Sequence, residues 1–296
     1  MNSDFNNQTF DSIISAANAF TTPFITNISP GTSDTYSYDV YTSEQMQETF
    51  NINDIVWKYG GPILGYNLST QNFTAATDCS GFIARILNAV TLPNQQSSIY
   101  KNLVVKNGTV QQYATPQHPQ PFPSAEDYAD LFVNSTDSKW STISFNSASS
   151  KTSSGSIEHA LPGDILAYGL PAGSSDTGHV MIINKVFPLQ RGQLNAELWG
   201  SDLTEFTEPN LTFFSVNVYD SSNVAHYHDL RGNAAAGTTG VGLGKILIIG
   251  DSMGTPLAFM FNVHYKLLTT YPIKTDIPSS QITQIDSLAI GRATNQ

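Results

Sequence analysis

Five short apolar runs between residues 165 and 260 limit what this chain can fold into. They are Ile165-Leu166-Ala167-Tyr168, Val180-Met181-Ile182-Ile183, Phe214-Ser215-Val216-Asn217-Val218-Tyr219, Ile246-Leu247-Ile248-Ile249 and the run around Phe259. Most are too short for a core helix, they are rich in β-branched and aromatic residues, and Gly, Pro, Asp or Ser punctuate them. They predict a single antiparallel sheet. Helical spacing occurs mainly upstream. Phe82, Ile83, Ile86 and Leu87 fall on one face of a helix that starts near Cys79, with Thr77 or Asp78 as its N-cap. A second helix is expected from Ser124 to Val133, capped by Ser124, with Glu126 and Asp127 in the first turn. The fold class that follows is α+β, with the cysteine-bearing helix on the N-terminal side packed on the sheet.

Cys79 is the one cysteine of the chain, so no intrachain disulfide framework exists. A lone cysteine is most often an inert core residue. At a helix N-terminus, however, the partial positive charge and unpaired N–H groups favour a thiolate and can hold an oxyanion. About a hundred residues later Thr177-Gly178-His179-Val180 places His179 at the start of a core strand, where an imidazole is either a satisfied core histidine or a rigidly held base. The run from Phe214 ends on Asp220, followed by Ser221 and Ser222. Asp220 is either a turn-initiating aspartate or the group that orients the imidazole.

Asp78-Cys79-Ser80-Gly81-Phe82 at a helix start, then Pro162-Gly163-Asp164, then Gly178-His179-Val180, resembles the NlpC-type cysteine peptidases of bacterial cell walls, rearranged relatives of papain. The resemblance spans roughly residues 50 to 265. It implies a papain-like core, Cys79 as nucleophile, His179 as general base and acid, and Asp220 as the orienting third residue. Where the family usually has Tyr-x-Trp-Gly-Gly ahead of the cysteine, this chain reads Trp57-Lys58-Tyr59-Gly60-Gly61, so either Trp57 or Tyr59 takes the place beside the oxyanion. The family's third residue is often histidine, and Asp220 stands at the matching position. Asp78 and Ser80 flank the nucleophile and join the expected cleft. The implied activity is hydrolysis of an amide bond in a peptide or peptidoglycan fragment, without a cofactor. Related folds use the same thiol for deamidation or acyl transfer on proteins, and a catalytically silent binding module is a further alternative.

Two other segments invite different chemistry. Ala225-His226-Tyr227-His228-Asp229 resembles part of a dinuclear hydrolase pattern, but the aspartate comes one residue early and the closing histidine is missing. If extended, it would put His226 and His228 on one face, as substrate-cleft contacts or as part of a polar loop. No metal is expected. Gly237-Thr238-Thr239-Gly240-Val241-Gly242-Leu243-Gly244-Lys245 has the spacing of neither a phosphate loop nor a dinucleotide fingerprint. It reads as a flexible connection into a strand.

With 296 residues, 40% of them hydrophobic, the chain can bury a sizeable core. Only 12% are charged, and the formal net charge is −11, which disfavours nucleic acid or an anionic membrane as partner. That composition, with polarity carried by Ser, Thr, Asn and Gln, suggests a secreted or periplasmic protein, although Met1 to Phe5 shows no signal-peptide pattern and no run is long enough for membrane insertion. The expected organisation is a polar extension over 1–45, a thiol hydrolase domain over 46–265 with insertions near 91–160 and 185–213, and a loosely held tail over 266–296. Within the first insertion, Ser141 to Ser156 reads as a serine-rich loop.

Overall fold

The computed structural model describes residues 17, 63–67, 72–76, 79–89, 124–134, 140–147, 155–174, 176–191, 206–222, 226–229, 240–262, 266–270 and 273–293. Within these the fold is α+β. A hairpin of β1 (Ile63–Asn67) and β2 (Asn72–Ala76) precedes helix α1 (Cys79–Ala89), and helix α2 (Ala125–Asn134) leads into β3 (Trp140–Ser147). Then follow β4 (Ile165–Gly169), β5 (Gly178–Leu189), β6 (Thr212–Ser222), β7 (Gly240–Gly250), β8 (Pro256–Met260), β9 (Leu267–Thr269), β10 (Ile282–Gln284) and β11 (Ser287–Ala293). Nine of these strands make one sheet in the order β10-β9-β8-β7-β6-β5-β4-β11-β3. All neighbours are antiparallel except β9 and β10.

The five apolar runs are the consecutive strands β4 to β8, as their composition requires. Their alternation divides the core. Leu166, Tyr168, Met181, Ile183, Val216, Val218, Ile246 and Ile248 pack on one face with Phe259, Phe261, Leu288 and Ile290. The sheet curls around this face: the rings of Tyr168 on β4 and Phe259 on β8 lie 4.9 Å apart although three strands separate them in the sheet. On the outer face Ala167, Val180, Ile182, Tyr219 and Ala289 pack against Phe82, Ile83 and Ile86 of α1 and Tyr128 and Phe132 of α2. Each of those three α1 side chains is fully buried, a contribution of about 1.5–3 kcal/mol apiece. Ser124 caps α2: the Asp127 amide donates to Ser124 Oγ at 3.3 Å, and the Ser124 amide donates to Asp127 Oδ2 at 2.9 Å. A third cluster, including Phe206, Phe213, Leu247, Ile249, Met260 and Ile273, covers the outer side of β7 and β8.

Two expectations are corrected. The described residues within 266–296 do not form a loose tail. They supply β9, β10 and β11, and β11 lies between β3 and β4 with Leu288, Ala289 and Ile290 fully buried. Trp140–Ser147 is a strand rather than the first half of a serine-rich loop, because β11 gives its backbone a partner. At the edges of the segment expected as an insertion near 185–213, β5 and β6 stay paired out to Leu189 opposite Phe213.

The β11 junction yields a first prediction. The register shifts between Ile290 and Gly291, and a Cβ on Gly291 would meet Phe132 Cε1 at 2.1 Å. The Phe132 ring is fully buried and packed 5.1 Å from Trp140, so it has nowhere to move. Gly291→Ala is expected to cost about 1–3 kcal/mol, read as a lower urea midpoint. An unchanged midpoint would mean that α2 shifts freely on the sheet.

Candidate functional site

The chemistry-bearing residues gather at one end of the sheet. In β4 and β5, Gly169 pairs with Gly178 and Tyr168 with His179. Gly178 has φ 121°, and a Cβ there would strike the Tyr168 carbonyl oxygen at 2.0 Å, so only glycine fits ahead of the histidine. In β6 and β7, Asp220 pairs with Gly242. The β5–β6 register then makes His179 and Asp220 diagonal neighbours on the same face.

His179 Nε2 lies 2.7 Å from Asp220 Oδ2. A second histidine shares the acceptor, with His226 Nε2 2.8 Å from the same oxygen. Asp220 is fully buried, His226 is 1% exposed and His179 is 8% exposed. An ionised carboxylate only accepts hydrogen bonds, so each Nε2 carries the hydrogen and each Nδ1 is left as the second ring nitrogen. Aromatic rings enclose the set. His179 meets Phe261 edge-on at 5.4 Å and Tyr168 at 6.4 Å, and His226 stacks on Phe261 at 5.1 Å and 23°.

The segment carrying His226 is held against β7. Tyr227 and Lys245 exchange backbone hydrogen bonds at 3.0 and 2.8 Å, and the His226 amide donates to Asp229 Oδ2 at 2.8 Å. Gly244 lies beneath this turn, and a Cβ on it would meet His226 Cβ at 2.6 Å and Asp229 Oδ2 at 2.9 Å. The glycine-rich connection is therefore already strand from Gly240 onward, and its missing side chains make room for the histidine turn.

His226 and His228 do not share a face. His228 has φ 48° and turns the chain, so His226 points into the interior and His228 is exposed. His226 is thus a buried partner of Asp220 rather than a cleft contact. Among the described residues no group of His, Cys, Asp and Glu is arranged to hold a metal ion.

Cys79 is the first residue of α1 and is half-buried, with Ser80 buried beside it. Its helix packs on β5 and β6. Cys79 joins the Val180 and Tyr219 cluster on the outer face, whereas His179 lies among the aromatics of the inner face. The two side chains therefore belong to opposite faces of β5. Burial pushes the Tyr219 hydroxyl up from its ordinary value, which keeps it a donor at neutral pH. Trp57, Tyr59 and Asp78 lie outside the described residues.

Asp164 of the Pro162-Gly163-Asp164 turn is fully buried. Arg292 Nε and Nη2 donate to its two oxygens, each at 2.9 Å, and the Leu161 amide donates to Oδ2 at 2.6 Å. Its role is to anchor β11 to the turn before β4.

No family model, curated protein or solved structure matches this chain. Reading the residues in order finds Cys79, His179 and Asp220, and the structure brings the last two into contact. Sequence reading missed Phe261 as the ring between the two histidines. Nothing in Leu257 to Phe261 distinguishes that residue from ordinary core.

Proposed function

We propose that this protein is a thiol hydrolase related to the NlpC-type, papain-like peptidases, with Cys79 as nucleophile, His179 as base and acid, and Asp220 as the orienting carboxylate. The observation that carries this reading is the buried 2.7 Å contact between His179 Nε2 and Asp220 Oδ2. It commits one ring nitrogen to the carboxylate and leaves Nδ1 to exchange a proton with a thiol. In the reaction, the Cys79 thiolate attacks the carbonyl carbon of an amide and a C–S bond forms. His179 passes the thiol proton to the leaving amine as the C–N bond breaks. Water, deprotonated by His179, then releases the acid and the thiol. The backbone amide of Cys79 at the start of α1 is suited to hold the oxyanion, a contribution of about 3 kcal/mol per donor.

Peptidoglycan stem peptide is the proposed substrate class, from the resemblance of the Asp78-Cys79-Ser80-Gly81 and Gly178-His179-Val180 segments, and a secreted or periplasmic setting is the proposed location, from the sparse charge and the Ser, Thr, Asn and Gln content. One observation favours a second reading, a binding module that has lost catalysis: Cys79 and His179 belong to clusters on opposite faces of β5.

Alkylation of Cys79 by iodoacetamide separates the two. A coupled thiolate–imidazole pair at pH 6 should react about 100-fold faster than a free cysteine, whose thiolate is scarce there, and His179→Ala should remove most of that advantage. A rate that tracks a free thiol from pH 5 to 9, unchanged by His179→Ala, would favour the binding module.

A further inference from the structure

We infer that His226 is a positioning residue that holds Asp220 in the orientation His179 requires. The consequence for catalysis rests on the proposed thiol chemistry, but the geometry does not. Asp220 Oδ2 accepts from both Nε2 atoms, at 2.7 Å from His179 and 2.8 Å from His226. A carboxylate with a single ring donor can rotate about its last bond and offer either oxygen. With two donors converging on one oxygen from different chain segments, rotation breaks both bonds.

Four features fix His226 itself. Its amide is bound by Asp229, its neighbour Tyr227 is paired with Lys245, its ring is stacked on Phe261, and Gly244 leaves it space. The other ring nitrogen, Nδ1, is buried and has no hydrogen-bond partner. A proton there would be a buried donor facing no acceptor, which costs free energy. The surroundings therefore select the Nε2–H tautomer, the one that donates to Asp220. His226 is buried, and its bond to Asp220 is the contact through which it acts on His179.

The test is a long-range 1H–15N correlation spectrum of the full chain with 15N-labelled histidine, at a pH where the rings are neutral. In the unmodified protein both His179 and His226 should be Nε2–H. His226→Phe keeps a ring against Phe261 but removes the donor, and His179 should then shift to a mixture of Nε2–H and Nδ1–H. His226→Gln retains a donor and should restore Nε2–H. Gly244→Ala should reproduce the mixture with His226 intact, since its Cβ displaces the histidine turn, and it serves as the test if His226→Phe does not fold.

Alongside, Cys79 alkylation at pH 6 should drop about tenfold in His226→Phe, the worth of one charge-assisted hydrogen bond, and recover in His226→Gln. His179 remaining Nε2–H in both His226→Phe and Gly244→Ala would overturn the inference. Tautomers that shift as described while Cys79 alkylates like a free thiol would uphold it and defeat the thiol hydrolase reading. Fast alkylation with unmoved tautomers would do the reverse.

Discussion

Arg292→Met is expected to destabilise the fold by about 3–5 kcal/mol at pH 7, the usual cost of stranding one partner of a buried ion pair. Asp164 is fully buried, and Arg292 donates to both of its oxygens from β11 while also bonding the His159 carbonyl at 2.8 Å. Burial pushes the Asp164 carboxyl up from its ordinary value, and the hydrogen bonds and charge of Arg292 and the Leu161 amide pull it part of the way back. The pH dependence follows from that direction. A carboxyl whose folded value is raised contributes most to stability when protonated, and this contribution is lost as pH rises through the folded value. Without Arg292 the folded value climbs further, so the variant is penalised increasingly toward neutral pH and least in acid. Urea unfolding at pH 4 and pH 7 should show the larger loss at pH 7. Adding Asp164→Asn, which removes the charge but can still accept from Leu161, should recover part of it. An equal loss at both pH values would mean that the arginine stem packs and its charge is incidental.

Asp220→Asn is expected to have the largest effect on chemistry, about a 10³–10⁴-fold loss of thiol-dependent turnover with the fold retained. The asparagine is nearly isosteric, but its NH₂ can donate to His179 Nε2 and reverse the tautomer, so that Nδ1 carries the hydrogen and can no longer accept a proton. It also withdraws the negative charge that stabilises an imidazolium in this enclosed site. Cys79 alkylation at pH 6 provides a substrate-independent measure and should fall toward the free-thiol rate. Far-ultraviolet circular dichroism should be unchanged, since neither β6 nor its neighbours use the Asp220 side chain to pair their backbones. Unaltered alkylation in a folded Asp220→Asn variant would remove Asp220 from any catalytic role.

The sequence determined the elements whose signals are local. Short, mostly continuous apolar runs made β4 to β8 readable, because a strand buried on both faces must be apolar over its whole length. The spacing of Phe82, Ile83 and Ile86 made α1 readable, and the Ser124–Asp127 cap made the start of α2 readable. Cys79 and His179 stood out as candidates because they fall at the start of α1 and β5, whereas Asp220 lies inside β6, which continues to Ser222.

Long-range pairing left weaker traces. The apolar core of β11, Leu288-Ala289-Ile290, is too short to distinguish from a loop; only its pairing with β3 and β4, both more than a hundred residues earlier, makes it a central strand. The Ile165 and Val180 runs predicted their strands but not which face each side chain takes, since a one-residue change in register moves every side chain to the other face. Only the tertiary structure put His179 and Asp220 on the face opposite α1. It also turned His226 inward, because that requires a left-handed residue at His228 and a missing side chain at Gly244 on a strand the local sequence cannot see.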